Sequence, residues 1–350
     1  MFVSATKTRC FRNLDSEIHF WSQGLNLLTG LNGSGKTNVL ESINLMTGWG
    51  PFKSEKMSDL KTWNAREEAL ITGKLSGEES SVVDIRIVER ASLRIDGKKC
   101  TWGDLRLKAP SLSFLPSDMA LIEGSPSVRR HFMDVLCCVL FPLYALRLSE
   151  YRKIISHRKA LLVRSQSPSV TDEVLLSLGS WIWGCRDRVV RSILSDVYRW
   201  DNLVPFAPVI SLRRGGSQTN LDLSEDFARS LLASRDKERI VKTTFVGPHR
   251  DDLVLTTPEG RNVSSVLSRG QRRKMAICLI LAAGSLIERA LKKSPILILD
   301  EVFAELDVMG KRDVVAALES SGWQVFAAST DDENIPWPGS VWRVRDGVVS

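Results

Sequence analysis

The sequence predicts an α/β fold built around a triphosphate-binding loop (a P-loop), with a second, helical lobe inserted into it. Three observations carry that reading. Gly30-Leu31-Asn32-Gly33-Ser34-Gly35-Lys36-Thr37 fits the pattern G-x-x-x-x-G-K-[S/T] between an apolar strand and a helix. Pro295-Ile296-Leu297-Ile298-Leu299-Asp300-Glu301 is an apolar run that ends in two carboxylates. Between the two, the apolar spacing changes from strand-like to helical.

Taken in order, residues 2–10, 18–21 and 25–29 read as strands, and the last of these enters the glycine loop. Small glycines let successive backbone N–H groups curl around phosphates, Lys36 can reach the β and γ oxygens, and the Thr37 hydroxyl can ligate Mg²⁺. Val39, Leu40, Ile43 and Met46 then recur at helical spacing. A helix N-terminus therefore lies under the phosphates, where its dipole favours anions. The expected ligands are a nucleoside triphosphate, ATP, and Mg²⁺. Further strands are expected at 69–75, 82–89 and 93–95, followed by an Asp96-Gly97 hairpin turn.

From about residue 127 the pattern is helical, with Phe132, Val135, Leu136, Val139, Leu143 and Leu146 leading to Leu162. A Ser/Pro break at 165–169 follows, then Thr171 as an N-cap with Asp172 and Glu173 in the first turn of a helix reaching Tyr198. Two helices this short cannot form a long coiled-coil arm. A short strand at 208–213, a Gly215-Gly216 turn, a helix at 224–240 and strands at 241–246 and 252–256 complete the middle of the chain. The α/β rhythm resumes at Ser268. Residues 1–110 and 242–350 are thus expected to form one discontinuous lobe, and 111–241 the mainly helical one.

The acidic run reads as the central strand of a parallel sheet, whose carboxyl end is where ligands bind. Asp300 would hold Mg²⁺ through water, and Glu301 would orient or deprotonate the water that attacks the γ-phosphate; taken alone, the pair also fits an acidic turn after a core strand. Just ahead of it, Leu267-Ser268-Arg269-Gly270-Gln271 is close to the L-S-G-G-Q signature of ABC-type ATPases, with a helix expected from Arg272 to about Lys293. Ser268 can cap that helix, and its hydroxyl with the Gly270 N–H can contact a γ-phosphate. Arg272, Arg273 and Lys274 occupy the first turn, where exposed positive charge opposes the dipole at about 0.3–1 kcal/mol each. Such a cluster fits a neighbouring anion or, equally, three solvated side chains. Phe303-Ala304-Glu305-Leu306-Asp307 resembles the D-loop of the same class.

This order of motifs, closed by a strand at 324–328, resembles the SMC-like ABC-type ATPase heads, and within them the RecF family. The matching residues begin with Cys10-Phe11-Arg12-Asn13-Leu14, the phosphate loop with Asn38, and Phe114-Leu115-Pro116-Ser117-Asp118-Met119. They continue through Gly124-Ser125-Pro126, Arg129-Arg130, Tyr151, His157 to Leu162, and Gly247-Pro248-His249-Arg250-Asp251-Asp252. The resemblance implies an ABC-type (SMC-head-like) ATPase lobe with catalytic roles for Lys36, Asp300 and Glu301 and metal contacts at Thr37 and Asp300. It implies nucleotide contacts at Gly30, Leu31, Asn32, Gly33, Ser34, Gly35, Lys36, Thr37 and Asn38, and from Ser268, Arg269, Gly270 and Gln271. Arg12 would add a further contact, its alternative being a surface arginine after the first strand. In this class the signature covers the nucleotide of the opposite subunit, so an ATP-driven homodimer is expected. So is slow, DNA-stimulated hydrolysis in recombinational repair, replication and the SOS response. The implied partners are double-stranded DNA and duplex/single-strand junctions without sequence specificity, and RecR, with RecO and RecA downstream on gapped DNA coated by single-strand-binding protein. Three departures stand out: Glu301 where the family has a second aspartate, no Q-loop glutamine near 116–118, and Ser329 or Thr330 in the switch-histidine region.

Composition allows an anionic partner, nucleic acid first, and equally fits a basic segment that is an ordinary solvated helix face. The formal net charge is +7 and the pI near 9.1, and residues 121–165 carry eight Lys or Arg against three acids. The six cysteines show no C-x-x-C spacing, and the longest apolar run, 275–287, is too short to span a bilayer. A reduced, cytoplasmic protein with no membrane partner is expected. His249 and Arg250 beside Asp251-Asp252 read as an ion-paired turn or a sensor near the signature before they read as a metal cluster. A transporter motor would need a much shorter insertion, a Q-loop glutamine and a switch histidine, a long-armed chromosome organiser hundreds of heptad residues, and a nuclease an added metal domain, so none of the three is expected. A non-hydrolysing ATP-binding scaffold, or another SMC-like ATPase, stays open.

Overall fold

Leu25–Thr29, Ile296–Leu299 and Gln324–Ser329 are buried at every position, a pattern that only a sheet covered on both faces can satisfy. In the computed structural model, which describes residues 1–53, 56–63, 67–218, 222–330 and 335–350, these three strands lie side by side in one sheet. Its order is Val348–Val349, Ser340–Arg345, Leu25–Thr29, Gln324–Ser329, Ile296–Leu299 and Ser111–Phe114. All neighbours run parallel except the closing hairpin.

A second, wholly antiparallel sheet contains Ile18–Phe20, Phe2–Arg9, Ala69–Ser76, Ser81–Ile87, Ala91–Ile95 and Lys98–Lys99. Strand Ser81–Ile87 buries every second residue, so this sheet has one apolar face. The helix Lys36–Met46 packs against both sheets, and its Val39, Leu40, Ile43 and Met46 share one core with Val3, Ile71, Ile85 and Phe326. The buried Gln324 side chain ties the sheets further: its Oε1 accepts from the Val3 amide at 2.8 Å and its Nε2 donates to the Val3 carbonyl at 2.8 Å. At Asp96-Gly97 both residues have positive φ (50° and 76°), the conformation a two-residue hairpin turn needs.

The chain divides into two compact units. One comprises residues 1–119, 200–205 and 268–350; the other comprises 120–199 and 206–267. Both boundaries differ from the expected 110 and 242, for identifiable reasons. Ser111–Phe114 was not expected as a strand, yet it pairs in parallel with Ile296–Leu299 and carries the first unit to Met119. Asp252–Thr256 pairs with Val209–Arg213 and so belongs to the helical unit. Trp200 in turn donates to Ser285 Oγ at 3.0 Å and packs near Trp323, which places 200–205 with the first unit.

Within the helical unit, Pro126–Leu140 and Tyr144–Val163 are separate helices; Pro142, without an N–H, marks the break in what the apolar spacing presents as one run. Asp172–Val197 and Leu223–Val241 follow. The expected strand at 241–246 is absent. Lys242 ends the preceding helix at φ 60°, the Phe245 amide donates to Glu238, and the Thr244 carbonyl accepts from His249 and Arg250.

Two buried arginines organise this unit. Arg158 donates to Asp172, to Glu238 at 2.9 Å and to the Pro168 carbonyl. Arg186 donates to Asp134 at 2.7 Å, Asp251 at 2.6 Å and the Pro248 carbonyl at 2.6 Å. Asp252 is paired with Arg129 at 2.7 Å, so the Gly247–Asp252 segment is an ion-paired turn. No cluster of His, Cys, Asp or Glu suited to a metal occurs among the described residues. Nor is any helix among them long and apolar enough to cross a membrane; residues 275–287 lie in the buried helix Arg269–Leu291.

His249 lies in that turn, and its Nε2–H donates to the Thr244 carbonyl while its Nδ1 faces the Tyr151 hydroxyl at 2.7 Å. Burial, with the Arg250, Arg130 and Arg186 charges against the weaker pull of that carbonyl bond, lowers its pKa to about 4. Because the native state resists the proton and the unfolded chain does not, this stabilisation is complete above about pH 6.5 and drains away as pH falls towards 4. Denaturant titrations at several pH values should show a loss of about 3 kcal/mol across that window. His249→Gln, which keeps an acceptor and a donor without a titrating group, should remove that share of the slope.

Candidate nucleotide site

Three glycines shape the loop after the buried strand: Gly30 (φ 148°), Gly33 (φ 80°) and Gly35 (φ 116°). Only glycine adopts such angles without strain, which is why this stretch can turn its amides inward. The loop is braced from behind by the C-terminal hairpin. The Gly347 amide donates to the Ser34 carbonyl at 2.7 Å, and the Gly347 carbonyl accepts from the Asp15 amide at 3.2 Å. Gly347 has φ 85°, and a Cβ there would collide with the Asn13 carbonyl oxygen. The Asp346-Gly347 turn is legible as a hairpin in the sequence; its contact with the phosphate loop is not. An open cleft of about 660 Å³ runs between Gly30–Ser34 of the loop, Thr330, Arg343 and Arg345.

Lys36 and Thr37 begin the helix, and both side chains are fixed. The buried Lys36 ammonium donates to the carbonyls of Gly30 at 2.7 Å and Leu31 at 3.0 Å, curling back over its own loop. Burial lowers its pKa, against the opposing pull of Asp300 and Glu301. Thr37 Oγ1 donates to Asp300 Oδ2 at 2.8 Å, joining two motifs separated by 263 residues. Burial raises the pKa of Asp300, while the Thr37 hydrogen bond acts in the opposite sense.

The other Asp300 oxygen, Oδ1, is buried without a hydrogen-bond partner, and so is Ser34 Oγ. Uncompensated buried oxygens are costly and mark a place for a ligand or ion. One carboxylate and one hydroxyl are hard oxygen donors of the kind Mg²⁺ takes when phosphates and water complete its shell. The residues present therefore fit that ion.

Glu301 follows Asp300 in the left-handed region, at φ 49°. Its carbonyl accepts from the Ala304 amide at 3.2 Å and from Arg273 Nη1 at 2.7 Å. Arg273 is the buried member of the Arg272, Arg273, Lys274 cluster, and Lys274 pairs with Asp313 at 3.1 Å. Asp307 caps the helix Val308–Ser321 by accepting from the Gly310 amide at 2.7 Å.

Ser268 and Gln271 form a reciprocal capping box: the Ser268 amide donates to Gln271 Oε1 at 2.9 Å, and Ser268 Oγ accepts from the Gln271 amide. The helix consequently starts at Arg269, earlier than the expected Arg272. Ser268 and Arg269 are exposed, and Gly270 lies against the backbone of Glu305. Among the described residues, no hydrogen bond joins Ser268–Gln271 to the Gly30–Thr37 loop.

Arg12 (φ 51°) sits on the other flank of the loop helix. Its Nε donates to Glu41 Oε2 at 2.9 Å, and Glu41 is buried. Asn38 donates to Asn13 Oδ1 at 2.7 Å. Arg12, Asn13 and Asn38 line a cleft of about 740 Å³ together with Asp59 and Trp63, whose indole is 89% exposed. Trp63 carries no signal in the sequence beyond being a tryptophan in a polar stretch.

The RecF/RecN/SMC N-terminal-domain model matches residues 2–344. The DNA replication and repair protein RecF of Heliobacterium modesticaldum is 30% identical, with all of this chain and 99% of that protein aligned. Its counterpart in Geobacillus kaustophilus is 28% identical over the same shares. Among solved structures, the recombination mediator protein RecF-ATPrS in the RecFOR pathway superposes with a TM-score of 0.89 at 25% identity, covering all of this chain and 97% of that one. An Smc head bound to the C-winged helix domain of ScpA superposes at 0.58 with 16% identity, covering all of this chain and 96% of that one, and shares the fold alone.

Because Gly347 holds the loop from behind, Gly347→Ala should raise the ATP dissociation constant at least tenfold by calorimetry, although residue 347 carries no group that reaches phosphate. Asp346→Asn, which keeps the turn, should stay within about twofold of the unaltered chain.

Proposed function

The chain belongs to the RecF family, and from that membership we propose that it is an ATP-dependent, DNA-binding clamp of recombinational repair. The observation that carries this reading is the Thr37–Asp300 hydrogen bond, which unites the phosphate loop with the acidic strand at a pair of buried, unpartnered oxygens. Lys36 binds the β and γ phosphates. Thr37 and Asp300 hold Mg²⁺, which when bound neutralises developing phosphate charge. Glu301 orients the attacking water.

Ser268, Arg269, Gly270 and Gln271 take part in a second copy's site. Support for this comes from the exposure of Ser268 and Arg269 and from the absence of any hydrogen bond to their own chain's loop among the described residues. A head-to-tail homodimer then holds two nucleotides between its subunits, and hydrolysis releases it. Arg12, Asn13 and Asn38 flank the loop where the rest of the nucleotide can lie.

Of the eight basic residues at 121–165, Arg129, Arg130 and Arg158 are spent on internal partners. Lys153, Lys159 and Arg164 are exposed and are the better candidates for DNA phosphates, while the exposed Arg152 also pairs with Asp134 at 3.4 Å. Duplex DNA and duplex/single-strand junctions, without sequence readout, are the proposed substrates. RecR is the proposed protein partner, with RecO and RecA acting downstream.

A second reading, a scaffold that binds ATP without turnover, is favoured by Ser329 and Thr330 standing where a switch histidine is expected and by the lack of a glutamine at 116–118.

Sedimentation should show the dimer fraction rising with ATP and Mg²⁺ and unchanged without them; equal monomer fractions would sink the clamp. Glu301→Gln should abolish turnover and retain the dimer, whereas no turnover in either chain favours the scaffold. For DNA, log K should fall against log salt by roughly 0.9 per phosphate neutralised, and reversing Lys153 and Lys159 to Glu should flatten that slope.

A further inference from the structure

We infer that Arg273 is a positioning residue for Glu301, linking the start of the signature helix to the residue that orients water. Three observations meet here, all within one unit of the chain. Arg273 is 5% exposed, and its Nη1 donates to the Glu301 carbonyl at 2.7 Å. Glu301 is a non-glycine residue at φ 49°, a conformation a side chain adopts only when its surroundings hold it there. Three residues earlier on the same helix, Gly270 lies against the carbonyl of Glu305, itself at φ 62°; a Cβ on Gly270 would stand 3.3 Å from that oxygen. The start of the signature helix thus bonds to one end of the segment 301–305 and packs closely on the other.

The chemistry explains why an arginine serves. A buried guanidinium is unfavourable by itself, since it loses water. Donation to a carbonyl recovers part of that cost. It also pins the peptide after Glu301, which sets where the carboxylate points. Arg272 and Lys274 share the charge but not this bond, so the cluster is three residues with different tasks. If the signature covers a nucleotide held by a second copy, displacement of Ser268–Gln271 reaches Glu301 through this arginine, coupling one site to the other.

The inference rests on the role proposed for Glu301, and the test separates the two. ATP turnover, affinity for a slowly hydrolysed ATP analogue and melting temperature should be measured on the full chain for Arg273→Met, Arg273→Lys and Glu301→Gln. Arg273→Met should lower kcat at least tenfold while KM and analogue affinity stay within about twofold. Arg273→Lys, whose ammonium can still reach the carbonyl, should recover at least a third of the lost rate. A kcat unchanged in Arg273→Met while Glu301→Gln is inactive would overturn the inference alone. A fall in kcat, analogue affinity and melting temperature together, without rescue by lysine, would reduce Arg273 to a folding residue and overturn it too. Normal turnover in Glu301→Gln, or none in the unaltered chain, would overturn the role of Glu301 and this inference with it.

Discussion

Parallel pairing between strands distant in sequence governs this site. Leu27 lies opposite Ala327, which lies opposite Leu299, so the carboxyl ends of Leu25–Thr29 and Ile296–Leu299 stop at the same edge of the sheet. The loop leaving one strand and the acidic pair leaving the other must then emerge together. Thr37 and Asp300 meet at 2.8 Å as a consequence. A one-residue slip in either pairing would turn the emerging side chains to the opposite face and separate these groups. The full burial of these strands guards against that slip, since every residue would exchange its packing environment.

Around that edge, the surrounding elements reinforce the loop without supplying chemistry. The C-terminal hairpin grips it through Gly347, and the helix behind it is locked between two sheets by Val39, Leu40, Ile43 and Met46. Such support from every side lets the chain keep Lys36 and Asp300 in a place where burial works against the charge of each. Opposite charges close together offset part of that cost, and the oxygens left unpaired keep the site ready for an incoming ligand. The helical unit uses charge differently. Arg158 and Arg186 each bridge several acceptors, so there the ionic groups define geometry.

Local patterns were readable where a few adjacent residues suffice. The glycine spacing of the phosphate loop, the apolar run before Asp300, the Asp96-Gly97 turn and the capping serine at 268 each rest on contacts within a handful of positions. Ser111–Phe114 escaped notice because half of its four residues are serines, and only its neighbour Ile296–Leu299 makes it a strand. Residues 241–246 carry strand-forming side chains, yet Glu238, His249 and Arg250 take up backbone groups there that a ladder would need. Pro142 divides a helical pattern that apolar spacing alone would run together.

The chain's own residue order determined that a phosphate loop, a signature-like segment and an acidic strand occur in sequence, because each is a short-range pattern with a short-range physical cause. It also determined the surplus of positive charge. Which cations remain available was decided only by the tertiary structure: Arg129, Arg130 and Arg158 turn to internal acceptors 80 or more residues away, while Lys153 and Lys159 face solvent. The same holds for Arg273, indistinguishable from Arg272 by type or neighbourhood until the helix buries one of its faces. Helical spacing says which residues share a face; the partner that face meets comes from elsewhere in the chain.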